Sequence, residues 1–138
     1  MSSIRDISLI IQDLAPVPGL KFVGGTSLFI QNKVETINDV DVLVQDLEGI
    51  MQVYEIELIP EPIYKFQGRQ RGYYIYNDIM IDVFVQENDE ETILIGTSAH
   101  CSTVNAQIQF LEKTLKLSLS PEKRQSTIAE IEYLKTLR

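Results

Sequence analysis

The chain has 138 residues, of which 44% are hydrophobic and 23% are charged, and its formal net charge is -8. This length and composition are typical of a globular protein with one core, so we predict a single domain over residues 1–138. The acidic surplus argues against an extended nucleic-acid surface, because such surfaces present a positive potential to the phosphates. An acidic chain suits instead a site that binds divalent cations.

The single cysteine, Cys101, excludes an internal disulfide and predicts a cytoplasmic location. The N-terminal segment MSSIRDISLIIQDLAP mixes charged and apolar residues, which is typical of an amphipathic helix and not of a signal peptide. No apolar run approaches the roughly 20 residues that cross a bilayer, so no membrane association is expected.

In the first third of the chain, the residue pattern predicts two helices and two strands. Isoleucines and leucines at helical spacing indicate a helix over residues 3–14, which the segment PVPG ends. A short apolar strand over residues 20–23 precedes a helix over about 26–33, and a second strand covers residues 39–44.

The remainder of the chain indicates further strands and then helices. Residues 46–54 predict a short helix, and apolar residues over 56–86 predict β structure, with turns at KFQGRQRG and YND. Helices are predicted over residues 103–117 and from Pro121 onward, with Ser120 just before the second of them. The predicted fold class is therefore α/β (α+β): a small mixed β-sheet flanked by helices, with helices at the C-terminus.

The segment DVDVLV carries two carboxylates on one predicted strand. Because side chains alternate along a strand, Asp39 and Asp41 share one face while the valines occupy the other. Two carboxylates this close repel each other, and a divalent cation such as Mg²⁺ between them removes the repulsion. A solvated strand face shows the same alternation, so the motif alone leaves both interpretations open.

A pair of glycines, Gly24-Gly25, stands between the first strand and the second helix. Glycines there let a ligand approach the backbone, and the free N–H groups of a helix N-terminus favour a phosphate. The hydroxyls of Thr26 and Ser27 are predicted to cap the helix and to add contacts to that phosphate. A tight strand-to-helix turn capped by Thr or Ser is the alternative interpretation.

Taken together, VGGTSLFIQ and TINDVDVLV resemble the nucleotidyltransferase fold of the DNA polymerase β superfamily over residues 20–46. The likeness is strongest to its minimal and abortive-infection-type nucleotidyltransferases, in which a Gly-Gly-Thr start and a Thr shortly before the first Asp recur. The resemblance implies a third carboxylate on a neighbouring strand. Asp82, in IMIDVFV, stands in the expected place, and a carboxylate within an apolar strand is costly unless it is paired or coordinated.

The resemblance implies a metal-dependent nucleotidyltransferase that transfers an NMP from an NTP such as ATP to a hydroxyl of an unidentified acceptor, with release of pyrophosphate. Two Mg²⁺ ions are implied as cofactors. The implied catalytic and metal-binding residues are three carboxylates, Asp39, Asp41 and Asp82. The implied nucleotide-binding residues are the glycine pair and its polar or basic neighbours, Gly24, Gly25, Thr26, Ser27 and Lys33.

One departure from the family pattern concerns the triphosphate. Small members often carry an Arg shortly before the first Asp, whereas this chain has Val34-Glu35-Thr36 there. Other basic residues are candidates for that role, namely Lys33, Lys65, Arg69, Arg71, Lys123 and Arg124. The segment KFQGRQRG is interpreted either as a basic loop over the nucleotide or as a solvated hairpin turn.

Three functional hypotheses follow from these patterns. The first is a working nucleotidyltransferase, and the second is a catalytically inactive module of the same fold, such as an antitoxin-like partner in a toxin–antitoxin pair. The third is an unrelated transferase that uses D-x-D with a nucleotide sugar, and it leaves Gly24-Gly25 unexplained. Because little of the chain lies outside the core fold, we expect a homodimer or a partner protein to complete the acceptor site.

Overall fold

The computed structural model describes residues 4–59, 69–87 and 90–138, and all structural statements refer to those residues. Its helices and strands, in chain order, are α1 (Ile4–Leu14), β1 (Lys21–Phe22), α2 (Gly24–Ile30), β2 (Val40–Val44), β3 (Glu57–Ile59), β4 (Gln70–Tyr76), β5 (Ile79–Val85), β6 (Thr92–Ile95), β7 (Ala99–Ser102), α3 (Val104–Thr114) and α4 (Pro121–Lys135). A single 3-10 turn, Ile50–Gln52, lies between β2 and β3.

The strands of the described ranges form one mixed sheet in the order β3-β4-β5-β2-β1-β7-β6. The pairs β2–β5 and β1–β7 are parallel, and the other neighbouring pairs are antiparallel. Helices precede, interrupt and follow the strands, and α3 and α4 stand at the C-terminal end. The predicted class, a small mixed sheet flanked by helices with C-terminal helices, is confirmed.

Two apolar clusters hold these elements together. The larger one packs the buried stripe of α1 against the inner face of the sheet, including Ile10, Phe22, Val42 and Ile81. The smaller one joins Leu28 of α2 to the apolar faces of α3 and α4. Since its neighbours on α2 pack against the larger cluster, α2 links the C-terminal helices to the sheet.

Several sequence predictions are confirmed in their local chemistry. The last helix begins at Pro121, and the Ser120 hydroxyl accepts a hydrogen bond from the Lys123 N–H at 3.1 Å, as an N-cap residue does. The YND turn closes the β4–β5 hairpin, where Asn77 and Asp78 have φ values of 47° and 66°. Positive φ at both central residues is typical of the two-residue hairpin turn whose twist matches that of the strands.

Other boundaries differ from the predictions. Only the 3-10 turn Ile50–Gln52 forms where a helix over 46–54 was expected. A β-carbon on Gly49 would lie 3.1 Å from Val17 Cγ1, so the chain is pressed closely against the turn after α1 at this point. The predicted KFQGRQRG turn is wrong in its last three residues, because Gln70 begins β4. Lys65 lies outside the described residues.

The sequence analysis also missed the β6–β7 hairpin and misplaced the start of α2. The hairpin strands have four residues each and flank Gly96, which has a φ of 66°, so they are too short for a clear alternation. Helix α2 begins at Gly24 and not at residue 26, and its N-cap residue Val23 makes no side-chain cap bond. The prediction that Thr26 and Ser27 cap this helix is therefore wrong.

Among the helices that the structure describes, none combines the length and apolarity that a membrane span needs.

Candidate active site

Two carboxylates lie side by side at the centre of the sheet. Strand β2 pairs in parallel with β5 so that Asp41 is directly opposite Asp82. Neighbouring strands are about 4.8 Å apart, and residues in register point to the same face, so the two side chains are adjacent. Asp82 is buried, and the rest of both strands is apolar apart from this pair. The sheet therefore brings together two of the three predicted carboxylates.

The backbone of Asp41 is fixed by the chain that enters α2. The Asp41 N–H donates to the hydroxyl of Thr26 at 2.8 Å, and the Val23 N–H donates to the Asp41 carbonyl at 3.1 Å. The Thr26 hydroxyl in turn donates to the Asp39 carbonyl at 3.4 Å. Since Thr26 has no exposed surface, these bonds are protected from water and set the direction of the Asp41 side chain.

Gly24 lies directly beneath the carboxylate of Asp41. Its φ is 56°, and a β-carbon added to it would lie 3.1 Å from Asp41 Oδ2. Both the left-handed backbone and the close approach favour glycine at this position. Gly25 differs, because its added β-carbon would make only an ordinary contact, 3.5 Å from Ile37 Cγ2. The first glycine of the motif thus makes room for a carboxylate of the chain itself.

The surroundings of Asp41 strongly disfavour its charged form. Its pKa is raised from 3.8 to about 7, chiefly by burial, and the charges of Asp82 and Asp39 and a hydrogen bond with Asp82 act in the same direction. Arg71 opposes this shift of the pKa but does not cancel it. At neutral pH the Asp41 carboxyl is therefore protonated in part.

Arg71 of β4 forms an ion pair with Asp82 at the same place. Its Nη2 and Nε lie 2.7 and 3.1 Å from Asp82 Oδ1. Both N–H groups converge on one oxygen, so Asp82 Oδ2 is not bound by Arg71. The antiparallel register places Tyr73 opposite Asp82, and Arg71, two residues earlier on the same strand face, reaches across diagonally.

A cavity of about 190 Å³ opens beside Asp41 and extends toward the C-terminal helices. Its walls combine charged, aromatic and aliphatic residues with the glycine turn, among them Gly24, Asp41, Arg69, Phe84, Phe110 and Leu111. The Arg69 guanidinium is held firmly there, with Nη2 3.2 Å from Glu90 Oε2, Nε 3.1 Å from Gln86 Oε1 and its centre 4.2 Å from the middle of the Phe110 ring. Asp41 therefore faces a half-open, mostly apolar space.

The remaining predicted residues have protein partners or lie at the edge of the site. The Ser27 hydroxyl donates to the Ser102 carbonyl at 2.6 Å, and the Lys33 ammonium donates to the Leu137 carbonyl at 3.1 Å. Asp39 is exposed and precedes β2 by one residue, where its charge still acts on Asp41. Within the described ranges, no three acidic, His or Cys side chains converge as a group that could hold a metal ion.

The sequence analysis missed Gln107 of α3. It is buried, and its amide donates to the carbonyl of Gly24 at 3.3 Å, which fixes α3 against the glycine turn. A signal for it existed, because Gln107 lies on the same helix face as Val104, Ile108 and Leu111, which recur at helical spacing in the sequence. A polar residue on such a stripe is buried only where it finds a partner.

No protein-family model matches the chain, and no curated protein matches it in sequence. The functional interpretation therefore depends on the residues of the site and their geometry.

Proposed function

We propose that the protein is a cytoplasmic, Mg²⁺-dependent nucleotidyltransferase. The observation that carries the proposal is the juxtaposition of Asp41 and Asp82 on parallel strands, with Asp41 seated on Gly24 at the mouth of a cavity. A glycine turn beside paired carboxylates is the arrangement that the resemblance to the DNA polymerase β superfamily implies. A purely structural sheet would gain stability by replacing the carboxylate pair with apolar residues.

The donor atoms at this place suit Mg²⁺. Carboxylate oxygens are hard ligands, and Mg²⁺ commonly uses one or two of them with water and substrate phosphates. The raised pKa of Asp41, about 7, reflects a burial and a repulsion that a divalent cation would offset. Asp41 and Asp82 would hold the metal, with Asp39 at the exposed edge. When bound, Mg²⁺ would polarise the phosphate oxygens and neutralise part of their charge.

In the proposed reaction, the oxygen of an acceptor hydroxyl bonds to the α-phosphorus of the NTP. The bond from that phosphorus to the bridging oxygen breaks, and pyrophosphate leaves with the electron pair. The hydroxyl proton passes to a carboxylate of the Asp41–Asp82 pair, which acts as general base. Gly24 and Gly25 border the triphosphate, while Thr26 and Ser27 act indirectly by holding the backbones of β2 and β7.

In this proposal, the cavity beside Asp41 forms only part of the binding site for the acceptor. A cavity of about 190 Å³ is smaller than the roughly 300–1,000 Å³ of typical small-molecule sites. A second subunit or a partner protein would therefore complete the acceptor site. Analytical sedimentation of the active species tests this, because a strict monomer that transfers nucleotide to a small molecule would contradict it.

Nucleotide binding is tested by thermal unfolding with each of the four NTPs, with and without Mg²⁺. A ligand at a hundred times its dissociation constant stabilises the fold by about 2.7 kcal/mol, which is readily measured. We expect a Mg²⁺-dependent rise in the unfolding temperature of wild type that is lost in Asp41→Asn. The rise should be kept in Asp46→Asn, which removes the same charge from an exposed position. Each shift is referred to the same variant without ligand. No shift with any NTP would refute the proposal.

One observation favours a second function, an inactive binding module of the same fold. Asp82 already has a cationic partner in Arg71, which can satisfy the carboxylate without a metal ion. This alternative predicts partner or nucleotide binding that is independent of Mg²⁺ and releases no pyrophosphate with any hydroxyl acceptor. A coupled pyrophosphate assay, run after nucleotide binding has been measured, separates the two functions.

A further inference from the structure

We propose that Arg71 is a built-in cation that neutralises Asp82 of the carboxylate pair until Mg²⁺ binds, and then moves to the phosphates of the nucleotide. The inference rests on the proposed function and adds to it the residue that replaces the missing arginine before Asp39. Arg71 thereby controls both metal affinity and nucleotide affinity, in opposite directions.

The first step of the argument is the position of the guanidinium. Both Nε and Nη2 of Arg71 donate to Asp82 Oδ1, at 3.1 and 2.7 Å. Asp82 is in register with Asp41 on the neighbouring strand, and the charge of Arg71 also acts on Asp41, so the guanidinium lies within electrostatic reach of both carboxylates. A guanidinium and a divalent cation at one carboxylate repel each other, and their binding is therefore competitive.

The second step is the difference in exposure and bonding between Arg71 and Arg69. Arg71 lies in β4, and Arg69 directly precedes that strand. The Arg69 side chain is 8% exposed and is held by Glu90, Gln86 and Phe110. The Arg71 side chain is 29% exposed, and both of its described hydrogen bonds go to Asp82. Release of Arg71 therefore breaks only its described bonds to Asp82, whereas release of Arg69 breaks contacts with three residues.

The third step concerns the other basic residues predicted to bind the triphosphate. Lys33 donates to the Leu137 carbonyl, and Arg124 donates to the Leu117 carbonyl, so both serve the packing of the C-terminal segment. Of the candidate cations that the structure describes, Arg71 is the one that forms an ion pair with a carboxylate of the pair, Asp82. A guanidinium released there is within reach of phosphates beside Asp41, and its fork of N–H groups suits phosphate oxygens.

The test measures Mg²⁺ affinity by calorimetry without nucleotide, and then ATP affinity at saturating Mg²⁺. In Arg71→Gln we expect Mg²⁺ to bind roughly tenfold more tightly, because the competing charge is gone. We expect ATP to bind roughly tenfold or more weakly, because a charge-assisted contact is lost. Arg5→Gln removes the same charge from an exposed position on α1 and is expected to change neither affinity.

Each outcome decides the inference. If wild type binds Mg²⁺ and Arg71→Gln binds it no more tightly, the inference is wrong while the proposed function stands. If neither binds Mg²⁺, both are wrong. Tighter Mg²⁺ binding with unchanged ATP affinity overturns the transfer of Arg71 to the phosphates. Circular dichroism checks that Arg71→Gln is folded, and Arg71→Lys, which keeps the charge but not the fork, serves if it is not, with intermediate affinities expected.

Discussion

The carboxylate of Asp41 packs directly against the backbone of Gly24, and a side chain on residue 24 would be crowded by it. A β-carbon on residue 24 would lie 3.1 Å from Asp41 Oδ2, and the glycine has a φ of 56°. Residue 24 therefore favours glycine for two separate reasons: its left-handed backbone conformation and its close approach to the Asp41 carboxylate. These can be distinguished experimentally because the chain contains a matched glycine for each.

Gly24→Ala is expected to destabilise the fold more than either matched substitution. The left-handed backbone alone costs a side chain about 1–2 kcal/mol, and the contact with Asp41 adds to this. Gly19→Ala reports the backbone term, because Gly19 has a φ of 75° and nothing within 4 Å of an added β-carbon. Gly25→Ala is expected to be neutral or stabilising by up to about 1 kcal/mol. Urea unfolding measures all three, and equal costs for Gly24→Ala and Gly19→Ala would rule out the contact.

Asp41→Asn is expected to stabilise the protein at pH 8 and not at pH 4. The pKa of Asp41 is raised from 3.8 to about 7, so between these values the folded chain keeps a proton that the unfolded chain has lost. The stability of wild type therefore falls as pH rises through this range, by up to the order of 4 kcal/mol, and the variant lacks this loss.

Unfolding free energies of Asp41→Asn and wild type from pH 4 to pH 8 measure this difference. Asp46→Asn, an exposed aspartate outside the site, is the control and should run parallel to wild type. A constant difference between Asp41→Asn and wild type over the whole range would mean that Asp41 is not titrating as described. A gain in stability when a site carboxylate is replaced is expected where function and stability make opposite demands on a residue.

Thr26→Val is expected to cost about 1–3 kcal/mol, because it leaves the buried N–H of Asp41 without its acceptor. Valine keeps the shape of threonine, so packing changes little. Thr26→Ser is the converse control, since it keeps the hydroxyl and loses only a methyl group. We expect amide hydrogen exchange at Asp41 to accelerate in Thr26→Val and to stay slow in Thr26→Ser. Unchanged exchange in both would show that the hydroxyl does not protect this amide.

Arg69→Met is expected to cost about 3–5 kcal/mol, because it removes the guanidinium that is paired with the nearly buried Glu90 carboxylate. Adding Glu90→Gln to this variant should recover part of the loss, since the buried negative charge is then removed. A double-mutant cycle by urea unfolding gives the coupling energy between the two residues. Strict additivity of the two substitutions would show that the ion pair contributes no net interaction.

Much of the fold could be predicted because its signals are local. The amphipathic stripe of α1, the Ser120-Pro121 start of α4 and the two-residue turn of the β4–β5 hairpin each depend on a few neighbouring residues. The sequence also identified Asp41 and Asp82 as carboxylates in apolar strands. Short elements were missed, because four-residue strands such as β6 and β7 show too little periodicity to be distinguished from loops.

The partners within the site could not be predicted from the sequence. The place of Thr26 suggested a helix cap, but its hydroxyl contacts the strand that follows, because Gly24 turns the start of α2 toward β2. Likewise, KFQGRQRG suggested a loop, while the pairing of β4 with β5 carries Arg71 to Asp82. Such contacts follow from strand register, which depends on residues far apart in the chain.

The parallel pairing of β2 with β5 also determines when the site can form during folding. Strands β3 and β4 lie between them in the chain, so Asp41 meets Asp82 only after a long segment has been closed into a loop. Contacts of this kind form late and slowly compared with helices and hairpins. The repulsion between the carboxylates is therefore absent until β2 and β5 have paired, so binding at this pair reports that the centre of the sheet has formed.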